Sequence, residues 1–312
     1  MTNALEHIKT IKSKCRDICS SLTFYDIKHD PINFSVGAVD SGFVVKKQMG
    51  FDVVICRASG AIYNYQNNEL IKTTYLNNSF KPEQTIIFSD EEIYTGAPHS
   101  IYRLKKEIEN AIKLTDHSPN LLLLDGSIVP LPINKPQKSS EFYQQYLELI
   151  KLYEKLYSLC KTNKIHLAGV IKDTYGKILI QSLKENKTLS VTDSFLLNTC
   201  MKPQTRTEFL NYGAGLHPTI EDIKFPAKIV VSYLRPSDLD SVLRVEVVDL
   251  FENYQETYEM VNSLCSLNRH YAYPPPLVDI DLKVKLKPHE IENISREFNM
   301  FNQIQRRDNR PF

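Results

Sequence analysis

A chain of 312 residues is long enough for one large domain or two small ones, with a sizeable core. Its 42% hydrophobic and 10% aromatic content places it with folded globular proteins and excludes a disordered chain. Lys+Arg 38 against Asp+Glu 37 leave a net charge of +1, so no global field steers nucleic acid and any such surface must come from local clustering.

Residues 3–22 carry helical spacing, with Leu5, Ile8, Ile11, Cys15 and Ile18 on one side. The opening MTNALEHIKTIKSK lacks the apolar core of a signal peptide, and LLLLDGSIVPLP is too short to cross a bilayer. The expectation is a soluble cytoplasmic protein without membrane contact. SVGAVDSG and GFDVVICRASGAIYNY read as two strands joined by a short turn-rich connection, and QTIIFS as a third. SIYRLKKEIENAIKL is an amphipathic helix with Ile101, Leu104, Ile108, Ala111 and Ile112 in one stripe. NLLLLDGSIVPLP has the continuous apolar run of a strand buried on both faces. EFYQQYLELIKLYEKLYSLC, residues 141–160, is a second helix, followed by the strand IHLAGVIKD. Its Phe142, Tyr146, Leu149, Tyr153 and Leu156 form one side, and Tyr143, Leu147, Ile150 and Leu159 widen it beyond what one sheet face needs. That surplus predicts a helix that meets a second copy of the chain. The whole pattern is a mixed α/β sheet with flanking helices. The six cysteines are scattered without a CxxC pair, so neither a zinc site nor a disulfide framework is expected; Cys15 and Cys19 read as helix-face residues.

Two aspartates share one context. Asp40 and Asp125 each follow an apolar strand and precede a Ser/Gly pair, read as a bend that lets backbone and cation approach closely. An aspartate that nucleates a turn is the alternative for either one alone. Two on the most buried-looking strands would converge if those strands are neighbours. Glu107 flanks the apolar stripe of its helix, one turn after Arg103, and either reaches the sheet edge or pairs with Arg103. Carboxylates so placed suit Mg²⁺ or Mn²⁺, whose hard-oxygen preference and charge serve in-line phosphodiester hydrolysis. The order of acids and elements resembles the ribonuclease-H-like fold.

VGAVDSG, GFDVVICRASGAIY, LLLLDGSIVP, LAGVIKDT, VTDSFLLNT, TRTEFL, YLRP with LRVEV, and YPPPLVDIDLKV occur in this order, and together they resemble the NurA nucleases. The resemblance implies a single nuclease domain over 1–312: a ribonuclease-H-like core of about 34–200 plus 270–290, the N-terminal helix 3–22, and inserted or dimerisation elements at about 200–265. It also implies a DNA nuclease dependent on Mn²⁺ or Mg²⁺, with two ions per site, 5′–3′ exonuclease and single-strand endonuclease activities, a homodimeric state, and a HerA-type hexameric ATPase as partner in DNA end resection, repair or defence. Carried over by position, the metal ligands are Asp40, Glu107, Asp125 and Asp281, the last standing where the family usually has histidine. Asp279 competes with Asp281 if the segment is a strand that bends. Tyr273 takes the motif tyrosine position, with a role in orienting the DNA backbone or a metal-bound water. Lys172, Arg206 and Arg235 match basic positions that would contact DNA, Lys172 having a solvated strand end as its alternative. Asp193 reads as the cap of the helix SFLLNT, although the family has an acid there too. Two other functions stay open: a scaffold with weakened chemistry that docks on a hexameric translocase, and an RNA-directed enzyme of the same fold.

Overall fold

The computed structural model describes residues 2–48, 51–76, 80–88, 96–172, 175–183, 190–213 and 216–301. Ser89 of the expected strand QTIIFS, and Asp173 and Thr174 of LAGVIKDT, lie outside them. In chain order the elements are α1 (Thr2–Cys19), β1 (Phe24–Asp26), β2 (Ser35–Lys47), β3 (Phe51–Gln66), β4 (Glu69–Tyr75), β5 (Glu83–Phe88), α2 (Ala97–Thr115), β6 (Leu121–Asp125), α3 (Tyr143–Thr162), β7 (His166–Ile171), α4 (Ile178–Ser182), α5 (Asp193–Asn198), β8 (Thr205–Thr207), β9 (Leu210–Asn211), β10 (Lys228–Arg235), β11 (Leu243–Asp249), α6 (Tyr254–Cys265), α7 (Pro275–Val284) and α8 (Pro288–Phe301).

Among the described residues the eleven strands form one mixed sheet, ordered β1-β8-β10-β11-β7-β6-β2-β3-β4, with β5 also on β3 and β9 on β10. The long β2–β3 hairpin is antiparallel, whereas β6 runs parallel to both β2 and β7. This places the first long strand inside the sheet, between its antiparallel partner β3 and the LLLLD strand, the ribonuclease-H-like arrangement of a mixed sheet with flanking helices. The stretch at about 200–265 supplies strands of the same sheet, since β11 pairs antiparallel with β7.

Alternation along the central strands sorts the core into two layers. Val39, Leu122 and Leu124 pack with Ile101, Leu104 and Ile108 of α2 and Tyr146, Leu149 and Tyr153 of α3. Ala38, Leu121 and Leu123 face the other way and pack with Tyr258 and Val261 of α6 and Leu277, Ile280 and Val284 of α7. Hence β6 reads as an unbroken apolar run: both of its faces are covered.

Three expectations change here. The wide apolar stripe of the 141–160 helix is consumed inside the chain, because Phe142, Tyr146, Leu149, Ile150, Tyr153 and Leu156 are buried and Tyr143 and Leu147 pack at the edge of the same core. Its surplus therefore gives no argument for a second copy. Cys19 and Cys200 form a disulfide across a separation of 181 residues, where none was expected. The packing of α1 on α5 creates that pair, and spacing along the chain cannot reveal it. Asp193 does not cap α5: Thr192 does, accepting from the Phe195 N–H at 3.2 Å. The fully buried Asp193 accepts instead from the N–H groups of Leu179 and Ile180 and from the Tyr233 hydroxyl. No helix among the described residues is long and apolar enough to cross a membrane.

Candidate metal centre

Asp40 continues the face of β2 that carries Val36 and Ala38, and Asp125 continues the face of β6 that carries Leu121 and Leu123; both faces look toward α7. Parallel register sets Val39 opposite Leu124, so the two aspartates lie side by side at the next step. Asp281 of α7 completes the group. Carboxylate oxygens of Asp40, Asp125 and Asp281 lie within 4.8 Å of one another.

The segment expected as a strand at YPPPLVDIDLKV is the helix α7, with Pro275 and Pro276 in its first turn. Residues two positions apart on a helix point about 200° from each other, and this separates the two candidate aspartates. Asp279 points away from the trio and accepts from the hydroxyls of Tyr63 and Tyr75 at 2.8 and 2.7 Å. Asp281 is the acid that joins Asp40 and Asp125.

The bend expected at Asp40-Ser41-Gly42 is absent. β2 runs on to Lys47, held by its ladder to β3. Gly42 serves a different need: a Cβ there would lie 2.8 Å from the Val284 carbonyl oxygen at the end of α7. The bend after Asp125 is real, with Gly126 at φ +128°. Gly169 of β7 makes room for it, because a Cβ at that position would collide with the Gly126 carbonyl oxygen.

Glu107 is buried on the α2 side of β2. Its carboxylate accepts from the Ser41 hydroxyl and, at 2.7 Å, from Arg103. Glu107 thus pairs with Arg103 and contacts Ser41 of β2, and it is not among the three carboxylates that converge. The Ser41 N–H donates to Asp40 Oδ1 at 2.6 Å, so one serine contacts both acids. Burial, then the charges of Glu107 and Asp125, push the Asp40 carboxyl up to about 8 against that hydrogen bond. Burial also raises Glu107, opposed by Arg103 and Ser41. Such a site is short of positive charge, and hard oxygen donors crowded in this way match a divalent cation.

Asp125 is held from two directions. The buried Tyr273 hydroxyl donates to Oδ1 at 2.8 Å and lies 3.1 Å from the Val170 carbonyl oxygen. Lys172 reaches Oδ2 at 3.1 Å, with its ammonium 4.8 Å from the centre of the Tyr273 ring. Burial works against the ammonium, but Asp125 outweighs it and raises the Lys172 pKa. The Tyr273 hydroxyl, expected to orient the DNA backbone or a metal-bound water, contacts Asp125 itself.

The other two basic residues are not brought to the trio. Arg206 lies on β8, near the far end of the sheet, and stacks on Phe209 and Tyr25 with centroid distances of 3.7 and 4.7 Å. Arg235 donates to the carbonyls of Met201, Asn198 and Ser237, the work of a loop brace. Ser41 and Gly42 were read only as a bend after Asp40, whereas Ser41 bonds to Asp40 and Glu107 and Gly42 makes room for the end of α7.

The family model for the NurA domain matches residues 34–286. Among solved structures, the NurA nuclease from Sulfolobus solfataricus superposes with a TM-score of 0.66 at 15% identity, covering 97% of this chain and 94% of that one. NurA bound to dAMP and manganese gives 0.58 at 12% identity, covering 98% and 96%. NurA with manganese gives 0.57 at 13%, covering 98% and 99%. At these identities the likeness shows the fold. No curated protein matches the chain.

Proposed function

This chain belongs to the NurA family, and from that premise we propose that it is a divalent-metal-dependent deoxyribonuclease centred on Asp40, Asp125 and Asp281. The observation that carries the reading is the convergence of three carboxylates from β2, β6 and α7 within 4.8 Å. Structures of relatives hold manganese, and one also holds dAMP.

Asp40, Asp125 and Asp281 would hold Mn²⁺ or Mg²⁺, with Glu107 as a fourth acid linked to Asp40 through Ser41. A bound divalent cation supplies Lewis acidity for activating water and offsets charge on the phosphodiester, and two ions divide these tasks. Tyr273 and Lys172 fix the Asp125 carboxylate before any ligand arrives. With its side chain 37% exposed, Lys172 also presents positive charge at the rim, where a phosphate would lie. A DNA contact by Arg206 or Arg235 would lie outside the carboxylate trio.

The finer reading keeps 5′–3′ exonuclease and single-strand endonuclease action by one domain, a homodimer, and a HerA-type hexameric ATPase in end resection, repair or defence. The family resemblance supports these points. Light scattering should give about twice the 36.0 kDa chain mass, and a monomer of full activity would remove the dimer from the reading.

Cleavage of end-labelled DNA with and without Mn²⁺ tests the activity itself. Asp40→Asn and Asp125→Asn should each lower the rate by about two orders of magnitude or more while staying folded. Cation binding by wild-type protein without cleavage would favour the docking scaffold, and preferential cleavage of RNA would favour the RNA-directed enzyme.

A further inference from the structure

We propose that the groove between Tyr271 and α7 is a nucleobase subsite, where the Tyr271 ring stacks on the base adjoining the phosphodiester held at the carboxylates. The inference rests on the nuclease reading above and extends it to a substrate contact. The open groove offers about 250 Å³, and its walls include Tyr271, Tyr273, Pro275, Val278 and Leu282 together with the acid Asp279.

Its position follows from a shared wall. Tyr273 lines the groove and sends its hydroxyl to Asp125, and the Tyr271 ring centre lies 6.1 Å from that of Tyr273. A phosphodiester at the carboxylates, with Lys172 beside it, would bring the attached sugar and base over this wall. An ordinary apolar ligand would leave that adjacency unused. A base has a flat π-face for the groove and a phosphate for the charged rim, so both halves of the surface find a counterpart.

Tyr271 is built to present its ring. The side chain is 45% exposed, as is 64% of Leu282 across the groove. Its main chain, in contrast, is tied on both sides. The Tyr271 N–H donates to Asn268 Oδ1 at 3.2 Å, and its carbonyl accepts from the Tyr273 N–H at 2.8 Å. The intervening Ala272 N–H donates to Asp240 at 2.6 Å, and Pro274, Pro275 and Pro276 follow. Stacking on a ring whose backbone is already fixed loses little conformational freedom.

The test compares Tyr271→Leu and Tyr271→Phe with wild-type protein on oligodeoxynucleotides that carry either a normal base or an abasic residue beside the cleaved bond. Wild type and Tyr271→Phe should favour the normal base by about tenfold in kcat/KM. Tyr271→Leu should cleave both substrates at the abasic rate, with Mn²⁺ affinity by calorimetry unchanged. Equal rates of wild type on the two substrates, or a base preference retained by Tyr271→Leu, would overturn the subsite. If wild type cleaves no DNA, the nuclease reading fails separately. The groove is then read by fluorescence of an oligonucleotide bearing 2-aminopurine: quenching by wild type that Tyr271→Leu abolishes supports the subsite, and no quenching overturns it.

Discussion

The carbonyl oxygen of Val284 occupies the space that a side chain on Gly42 would need, 2.8 Å from where its Cβ would stand. Gly42 lies two residues beyond Asp40 on the same face of β2, and Val284 three beyond Asp281 on α7. This approach therefore sets how far apart two of the three carboxylates sit. Arg57 secures the same corner, donating to the Lys285 carbonyl oxygen at 3.0 Å and pairing with Glu290. Gly42→Ala should cost about 1–3 kcal/mol through overpacking and weaken Mn²⁺ binding about tenfold without removing a ligand. Calorimetric titration of the folded variant checks this; unchanged affinity would mean that the centre tolerates displacement of α7.

The raised pKa of Asp40 fixes the sign of a pH effect. Its carboxyl titrates near 8 in the folded protein against 3.8 ordinarily, so folding favours the protonated form. That contribution is fully present below about pH 4 and is lost as pH rises through about 8. In the absence of metal, Asp40→Asn should be the more stable protein at pH 8, by about 1–3 kcal/mol, and the advantage should shrink toward pH 4. Mn²⁺ should reverse the order by stabilising wild type alone. Thermal unfolding across the pH range, with and without Mn²⁺, reads all three outcomes.

Asp281 and Asp279 should separate cleanly in a pair of alanine variants. Asp281→Ala should abolish measurable Mn²⁺ binding with little loss of stability. Asp279→Ala should retain the cation but cost about 1–3 kcal/mol, because the hydroxyls of Tyr63 and Tyr75 lose their acceptor. Equal metal affinities in the two variants would contradict the assignment of Asp281.

Tyr273→Phe removes one hydroxyl from Asp125 and leaves the ring in place. The expected loss of stability is about 1 kcal/mol, with Mn²⁺ affinity falling several-fold as Asp125 gains freedom. Because the tyrosine acts through the carboxylate, KM for DNA should move less than the Mn²⁺ concentration needed for half-maximal rate. The opposite pattern would assign Tyr273 to the substrate.

Much of this centre was legible in the chain because strand alternation is a local property. LLLLD announces a strand covered on both faces, and the matching context of Asp40 points to a neighbour. The errors came where one segment satisfies two periods. In PLVDIDLKV, Val278, Ile280, Leu282 and Val284 alternate as a strand would, yet Leu277, Ile280 and Val284 form a helical stripe facing the core. The prolines before it select the helix. Ser41-Gly42 likewise suits a turn, but pairing with β3 along all of β2 keeps the strand straight. The Cys19–Cys200 bond and the bracing of Arg235 arise from tertiary contacts that no local pattern encodes.

The dependence of the centre on α7 also has a temporal side. Asp40 and Asp125 belong to strands made early in synthesis, but the helix that brings Asp281 comes after every strand of the sheet. A growing chain thus carries two of the acids long before it can assemble the third, and the centre stays incomplete until α7 docks against β2. Any truncated product ending before that helix is born without the full carboxylate set, so the order of translation itself keeps unfinished molecules from carrying a complete centre.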